Sequence, residues 1–325
     1  MLVYLKLTDK CNLACKHCYV GKTAQIAMSQ NTLSKAIDFL ATQKNIQVQL
    51  HGGEPFLYDE NDLFRCVSKI KSLGHEVSAT TNLMYRLTQK RLETMQLFHL
   101  QDKQFIQTSW DYKIRFKNEK QESLWRNNVL TLITQGFTVQ ITVCLTNLLI
   151  ENLRAKDLFE YFDTTFSLNN ICLNFERITL TGNAKLNQLR PSNAQLNKWL
   201  LDAYIISMPF RESISLFSNI DNSMHGVFVG CRARQCTKNV ITINPDGAVA
   251  SCPNTANMPY ATIDDLLKQN IQEKRIIWIK QEQTKRNECY MCEYYKFCNG
   301  DCFQLSWDET GCPGPKAIYE YVQNN

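Results

Sequence analysis

Cys11-Asn12-Leu13-Ala14-Cys15-Lys16-His17-Cys18-Tyr19 follows almost at once on the apolar run Leu2-Val3-Tyr4-Leu5-Lys6-Leu7. A β-rich run that empties into a loop of three closely spaced cysteines puts a ligand site at the C-terminal end of a strand, where parallel α/β architectures carry theirs. Downstream the same alternation continues. Further runs with strand character occupy residues 46–50, 76–81, 104–110, 138–145 and 171–178. Between them, residues 32–41 set Leu33, Ile37 and Leu40 at i, i+4 and i+7, and residues 124–134 carry Leu124, Val129, Leu132 and Ile133 at helical spacing. Six strands separated by helices predict right-handed βαβ crossovers and a parallel sheet. Periodicity alone leaves open whether that sheet is flat or curls into a partial barrel. A more polar helical stretch, residues 193–207, leads through Asp221-Asn222-Ser223 into a cysteine-rich region, so the boundary is expected near residue 225.

Fourteen cysteines in 325 residues are the compositional outlier. The rest is ordinary for a globular protein: 44% hydrophobic, 21% charged, and a formal charge of +5 whose 36 basic residues are scattered among 31 acidic ones. That scatter predicts no nucleic-acid partner. The first residues are too short and interrupted for a signal peptide, and no stretch approaches about 20 consecutive apolar residues, so the expectation is a cytoplasmic protein with no membrane partner. In a reducing compartment, close cysteine spacings argue for metal ligation or redox chemistry. Eleven cysteines fall into two clusters, while Cys66, Cys144 and Cys172 stand alone in apolar surroundings and read as small core residues. Cys11, Cys15 and Cys18, spaced C-x₃-C-x₂-C, can share a [4Fe–4S] cluster with one iron lacking a protein ligand; zinc with His17 as a fourth ligand is the alternative. The second array is Cys231, Cys236, Cys252, Cys289, Cys292, Cys298, Cys302 and Cys312, enough to ligate two further clusters fully, or zinc.

The three-cysteine spacing with an aromatic at Tyr19 resembles the radical S-adenosylmethionine (SAM) enzymes, and the second array resembles their SPASM domain. The resemblance implies an α/β fold: a partial (β/α)6 TIM-like barrel over residues 1–225 and a cysteine-rich SPASM domain over 226–325. It implies an oxygen-sensitive redox enzyme with three [4Fe–4S] clusters. Cys11, Cys15 and Cys18 would hold the SAM-binding cluster. Cys231, Cys236, Cys252 and Cys302 would hold the first auxiliary cluster, and Cys289, Cys292, Cys298 and Cys312 the second. The hairpin over residues 240–251, turning at Asn244-Pro245-Asp246-Gly247, would deliver Cys252.

The same resemblance makes Gly52-Gly53-Glu54-Pro55 the segment that meets the methionyl amino group. It places Asn82, Ser109 and Asp111 among the cofactor contacts, with Arg115 as counter-charge to the methionyl carboxylate and Arg126 as its rival. An ordinary helix cap is the competing explanation for Ser109 and Asp111. Glu176-Arg177 and Thr181-Gly182-Asn183-Ala184 resemble a sixth-strand segment of peptide-modifying members. The implied activity is oxidative modification of a side chain in a ribosomally made precursor peptide, a carbon–carbon or thioether cross-link. The alternatives are formylglycine formation of the anaerobic sulfatase-maturating type and a small-molecule dehydrogenase. The sulfatase-maturating relatives resemble one another in an Asp after the third SPASM cysteine, where this chain has Pro253. Expected partners are the precursor peptide and a flavodoxin- or ferredoxin-type electron donor; because strand character starts at Leu2, a leader is expected either to bind the barrel or SPASM surface or to be presented by a separate leader-binding protein.

Overall fold

The structure, a computed structural model, describes residues 1–20, 25–181, 183, 188–269 and 271–325. Strands β1 (Leu2–Thr8), β2 (Gln47–Gly52) and β3 (Glu76–Ala79) are parallel neighbours, with Leu2 opposite Gln47 and Gln47 opposite Glu76. Strands β4 (Phe105–Trp110), β5 (Thr138–Leu145) and β6 (Ile171–Arg177) form a second parallel set. Helices α1 (Gln30–Ala41), α2 (Glu60–Ser72), α3 (Gln89–Gln96), α4 (Glu119–Thr134), α5 (Asn147–Asn152) and α6 (Ala155–Phe166) make the crossovers. Ser29, Asp59, Thr88, Asn118 and Thr146 each cap the helix that follows, accepting from its first-turn N–H groups.

Among the described residues the two strand sets join at a single parallel bridge, Thr80 to Gln107, and the Thr81 N–H donates to the Gln107 carbonyl at 2.9 Å. Side chains reinforce this weak seam. Gln49 Nε2 donates to Gln107 Oε1, Gln107 Nε2 to Gln140 Oε1 at 2.7 Å, and Gln140 Nε2 to Ser215 Oγ at 2.8 Å. These amides alternate along their strands with the buried residues Val48, Leu50, Ile106, Thr108, Val139 and Ile141. The sheet is therefore a partial barrel with apolar side chains under the helices and polar ones in the lumen.

That alternation corrects the reading of the lone cysteines. Cys66 is a buried core residue of α2. Cys144 and Cys172 are half-buried and share the lumen face with Gln140, because their apolar sequence neighbours point to the opposite face of the strand.

Helices α7 (Asn193–Ile206) and α8 (Ser215–Met224) cover the end of the barrel beyond β6, where Leu173 bridges Ile214. The chain then returns to the first strand. β7 (Val240–Ile243) pairs in parallel with β1 on the side away from β2, Leu2 facing Val240, and continues antiparallel into β8 (Ala248–Ala250) and β9 (Ala261–Thr262). At the β7–β8 turn the Gly247 N–H donates to the Asn244 carbonyl, with Gly247 at φ 83°. The cysteine-rich region is thus an extension of the barrel sheet. No helix among the described residues is long and apolar enough to cross a membrane.

Candidate cofactor and cluster sites

The loop after β1 is shaped by what packs beneath it. A Cβ on Gly53 would lie 2.2 Å from the Lys10 carbonyl oxygen, and one on Gly52, at φ 131°, 2.3 Å from that of Thr8. Without those Cβ atoms, the Gly53 N–H donates to Thr8 O and the Glu54 N–H to Lys10 O, both at 2.8 Å. Glu54 itself is fully buried. Oε1 accepts from the Phe56 N–H at 3.1 Å and the Thr81 hydroxyl at 2.8 Å, and Oε2 from the Asn82 N–H at 2.6 Å. Its carboxylate therefore holds the ends of β2 and β3 together, leaving the glycine backbone as the part of this segment open to a ligand. Asn82 extends the brace, donating from Nδ2 to Asn12 Oδ1 at 2.7 Å and lying 3.6 Å from Cys11 Sγ.

Cys11, Cys15 and Cys18 are half-buried and unbridged. Burial pushes the Cys15 thiol up to about 11 and raises Cys11 as well. Neutral, desolvated thiols in a group become ligands only when a metal displaces their protons. From beyond β6, the Asn183 N–H donates to the Cys18 carbonyl at 2.8 Å and its side chain reaches Cys15 O at 3.4 Å. Asn183 belongs to the segment singled out in the sequence; Gly182 and Ala184 lie outside the described residues.

Across the lumen mouth, Asp111 follows β4 directly and is buried. Its Oδ2 accepts from Arg115 Nε at 2.6 Å, its Oδ1 from the Cys144 N–H at 3.1 Å, and His17 Nε2 lies 3.5 Å away. Against burial, which alone would raise it, Arg115 and His17 hold the Asp111 carboxyl below the usual range. Arg126 does not enter this cluster and pairs instead with Glu119 at 2.6 Å along α4. Ser109 is half-buried two residues from Gln107 on the same strand face. His17, Asp111 and Cys144 place donor atoms within 4.8 Å of one another, but the Arg115 guanidinium already neutralises that carboxylate and opposes a cation there.

Sequence reasoning singled out Tyr19 and Glu176 but not Tyr4, Lys6 and His51, which share the lumen with them. Tyr19 and His51 are hydrogen-bonded, and Tyr4 meets the His51 ring edge-on with centroids 5.5 Å apart. Burial, then Lys6, pushes His51 down to about 4. Lys6 is buried and paired with Asp9 at 2.9 Å and Asn244 Oδ1 at 3.0 Å. Glu176, on β6, is open to the lumen yet surrounded by protein, and burial raises its carboxyl. The strand's period of two carried this signal, since Tyr4, Lys6, His51 and Glu176 are polar positions between buried apolar ones.

The second array gathers into two groups. Cys231 interacts directly with Cys236 and Cys302, and Cys252 lies beside Cys302. Cys289, Cys292, Cys298 and Cys312 line one cavity of about 790 Å³ together with Met291 and Trp307. None of the eleven thiols belongs to a set of three ligand atoms within 4.8 Å of one another, among the described residues. A tetrahedral zinc site would draw its thiolates to about 3.8 Å, given a Zn–S bond of about 2.3 Å. The roomy cavity shared by Cys289, Cys292, Cys298 and Cys312 has space for a multi-iron cluster in place of one ion.

Residues 2–129 match the family described as a 4Fe-4S single cluster domain. The uncharacterized protein MJ0907 of Methanocaldococcus jannaschii is 33% identical over 84 residues, which is 26% of this chain and 28% of that protein. The chain therefore matches well under a third of that relative's length. Among solved structures, native anSMEcpe with bound AdoMet and Kp18Cys peptide is similar over 99% of this chain and 97% of its own, with a TM-score of 0.81 at 17% identity. Streptococcus suis SuiB bound to precursor peptide SuiA is similar over 93% of this chain and 72% of its own, with a TM-score of 0.65 at 17% identity. The family match covers the cysteine loop and the structural likeness covers the barrel: the chain has the fold of anSMEcpe and SuiB.

Proposed function

We propose that the protein is a radical SAM enzyme that oxidatively modifies a side chain of a ribosomally made peptide, installing a carbon–carbon or thioether cross-link. Residues 1–225 would be the radical-generating barrel and 226–325 the domain of the auxiliary clusters. The observation that carries the reading is the three-thiol loop of Cys11, Cys15 and Cys18 at the mouth of a polar lumen, braced from β2, β3 and the segment after β6. When bound, a cluster with one open iron and SAM supply a 5′-deoxyadenosyl radical that abstracts a hydrogen atom from the substrate.

The chain's own part is to bind, orient and accept. The backbone at Gly52 and Gly53 meets the methionyl end of SAM, Ser109 and Arg115 bind its carboxylate, and Asp111, fixed by Arg115, accepts from ribose hydroxyls. Asn82 and Tyr19 border the same space. Glu176, projecting into the lumen from β6, is the carboxylate placed to take a proton from the substrate. Cross-linking also releases an electron, for which the eight cysteines of the second array provide two fully ligated [4Fe–4S] clusters. A flavodoxin- or ferredoxin-type donor would reduce the first cluster.

Formylglycine formation of the sulfatase-maturating type is the second reading, favoured by the near-complete overlap with the anSMEcpe peptide complex. Against it stands Pro253. The residue after Cys252 is a buried proline that starts the turn Pro253–Thr255 and offers no acid. The test is mass spectrometry of candidate peptides after anaerobic turnover with SAM and reductant. Loss of H₂ with a new inter-residue link supports cross-linking. Conversion of a Cys or Ser to an aldehyde supports the second reading.

A further inference from the structure

Between the two groups of the second array lies a buried ion network that none of the cofactor roles above requires. Asp301 accepts from both ends of the Arg177 guanidinium, each at 2.8 Å, and from Arg232 Nη2 at 3.2 Å. All three side chains are at least nine-tenths buried. Their places in the chain matter more than the pairing itself. Asp301 immediately precedes Cys302 and accepts its N–H at 2.7 Å; Arg232 immediately follows Cys231; Arg177 Nη1 also donates at 3.2 Å to the carbonyl of Pro313, which immediately follows Cys312. Cys302 and Cys231 belong to one group of thiols and Cys312 to the other. The network therefore ties both groups to each other and to barrel strand β6.

Asp301 reaches this position in the left-handed region, φ 48°, at the end of a turn in which Asn299 and Gly300 are also left-handed. Glycine would adopt that conformation at lower cost. Aspartate tolerates that conformation better than most side chains, and here its carboxylate is engaged by Arg177, Arg232 and the Cys302 N–H. Two guanidinia against one carboxylate leave a net positive charge in a desolvated place, where charges act strongly on their neighbours. Arg234 adds a third guanidinium, donating to the Asp301 carbonyl at 3.0 Å.

We propose that the Arg177–Asp301–Arg232 triad is an electrostatic positioning device that raises the reduction potential of the auxiliary clusters. This rests on the ligand sets proposed above. A cluster gains a negative charge when it accepts an electron, so a buried net cation stabilises its reduced form, and each charge removed from the triad shifts the potential in a direction fixed by its sign. Burial alone cannot reproduce that dependence, nor can loss of packing.

The experiment is a redox titration followed by electron paramagnetic resonance on the reconstituted full chain, with iron and sulphide counted in every sample. Arg177→Gln removes a positive charge, and its auxiliary signals should titrate lower, with at least a tenfold change in the oxidised-to-reduced ratio at fixed potential, about 59 mV for one electron. Asp301→Asn removes the negative charge and should move them the opposite way. Arg177→Lys should stay close to wild type. Opposite shifts at full iron content support the triad's role. Unchanged potentials, or shifts of the same sign, overturn it, as does loss of auxiliary iron from Arg177→Lys and Arg177→Gln alike, which would make the network structural. A wild-type protein without auxiliary signals would defeat the ligand assignment and the triad's role with it, whereas a loaded variant at wild-type potential defeats the triad's role alone.

Discussion

The Tyr19 hydroxyl lies 2.8 Å from Nδ1 and 3.1 Å from Nε2 of His51. The Gly52 N–H donates to Nδ1 of the same ring at 2.8 Å, so in the neutral imidazole Nδ1 accepts and the proton sits on Nε2, with the Tyr19 hydroxyl against the ring edge between the two nitrogens. One neutral ring thus links the residue after the last loop cysteine to the glycine pair that ends β2. Tyr19→Phe removes this tie without emptying the space. It should weaken SAM binding by about 0.5–1.5 kcal/mol while all iron is retained. Equilibrium binding of SAM to the anaerobic protein checks it.

His51 also gives a pH dependence. Its folded value near 4 lies below its ordinary 6.5, chiefly through burial. The depressed group contributes stability that is fully present above pH 6.5 and is lost as the pH falls through 4. The shift corresponds to about 2–3 kcal/mol after allowance for partial exposure. Denaturant unfolding between pH 7 and pH 4 should show that loss in the metal-free protein and a flatter profile in His51→Gln.

Gly53→Ala cannot be accommodated while the Lys10 and Asp9 carbonyls stay in place, since its Cβ would lie 2.2 and 2.5 Å from them. The cysteine loop must move. Iron analysis should show a loss of about four irons per chain, one cluster's worth, with the auxiliary clusters intact.

Asp111 and Glu54 should differ in what they cost. Asp111→Ala leaves Arg115 buried without its partner and should destabilise the chain by about 3–5 kcal/mol even without SAM. Glu54→Gln keeps the shape but exchanges one acceptor for a donor facing the Asn82 N–H or the Phe56 N–H, a loss of about 1–3 kcal/mol. Thermal unfolding with and without SAM separates fold from binding: only Asp111→Ala should also lose the stabilisation that SAM confers.

The β/α alternation was legible because strands such as β2 and β5 alternate apolar and polar residues, and β5 has the expected bounds, residues 138–145. The thiol groups were legible from spacing, which survives without knowledge of the fold. What the sequence hid is long-range. Nothing local announces that β7 pairs with β1, more than two hundred residues away, or that Arg177 meets Asp301. Glu54 illustrates the same limit. Its place after a glycine pair pointed to a ligand, but the donors that surround it come from Phe56, Thr81 and Asn82, and the β3 pair enters only through the fold. Cys144 was misread because sequence neighbours on a strand face opposite ways.

The most direct test of the account is to count iron and 5′-deoxyadenosine in the same reconstituted samples of wild type and the Cys11→Ala/Cys15→Ala/Cys18→Ala variant, with SAM and a strong reductant. On the three-cluster assignment, wild type holds about twelve irons per chain and cleaves SAM, whereas the variant holds about eight and does not. A wild type that holds zinc in place of iron, or a triple variant that still makes 5′-deoxyadenosine, would contradict it.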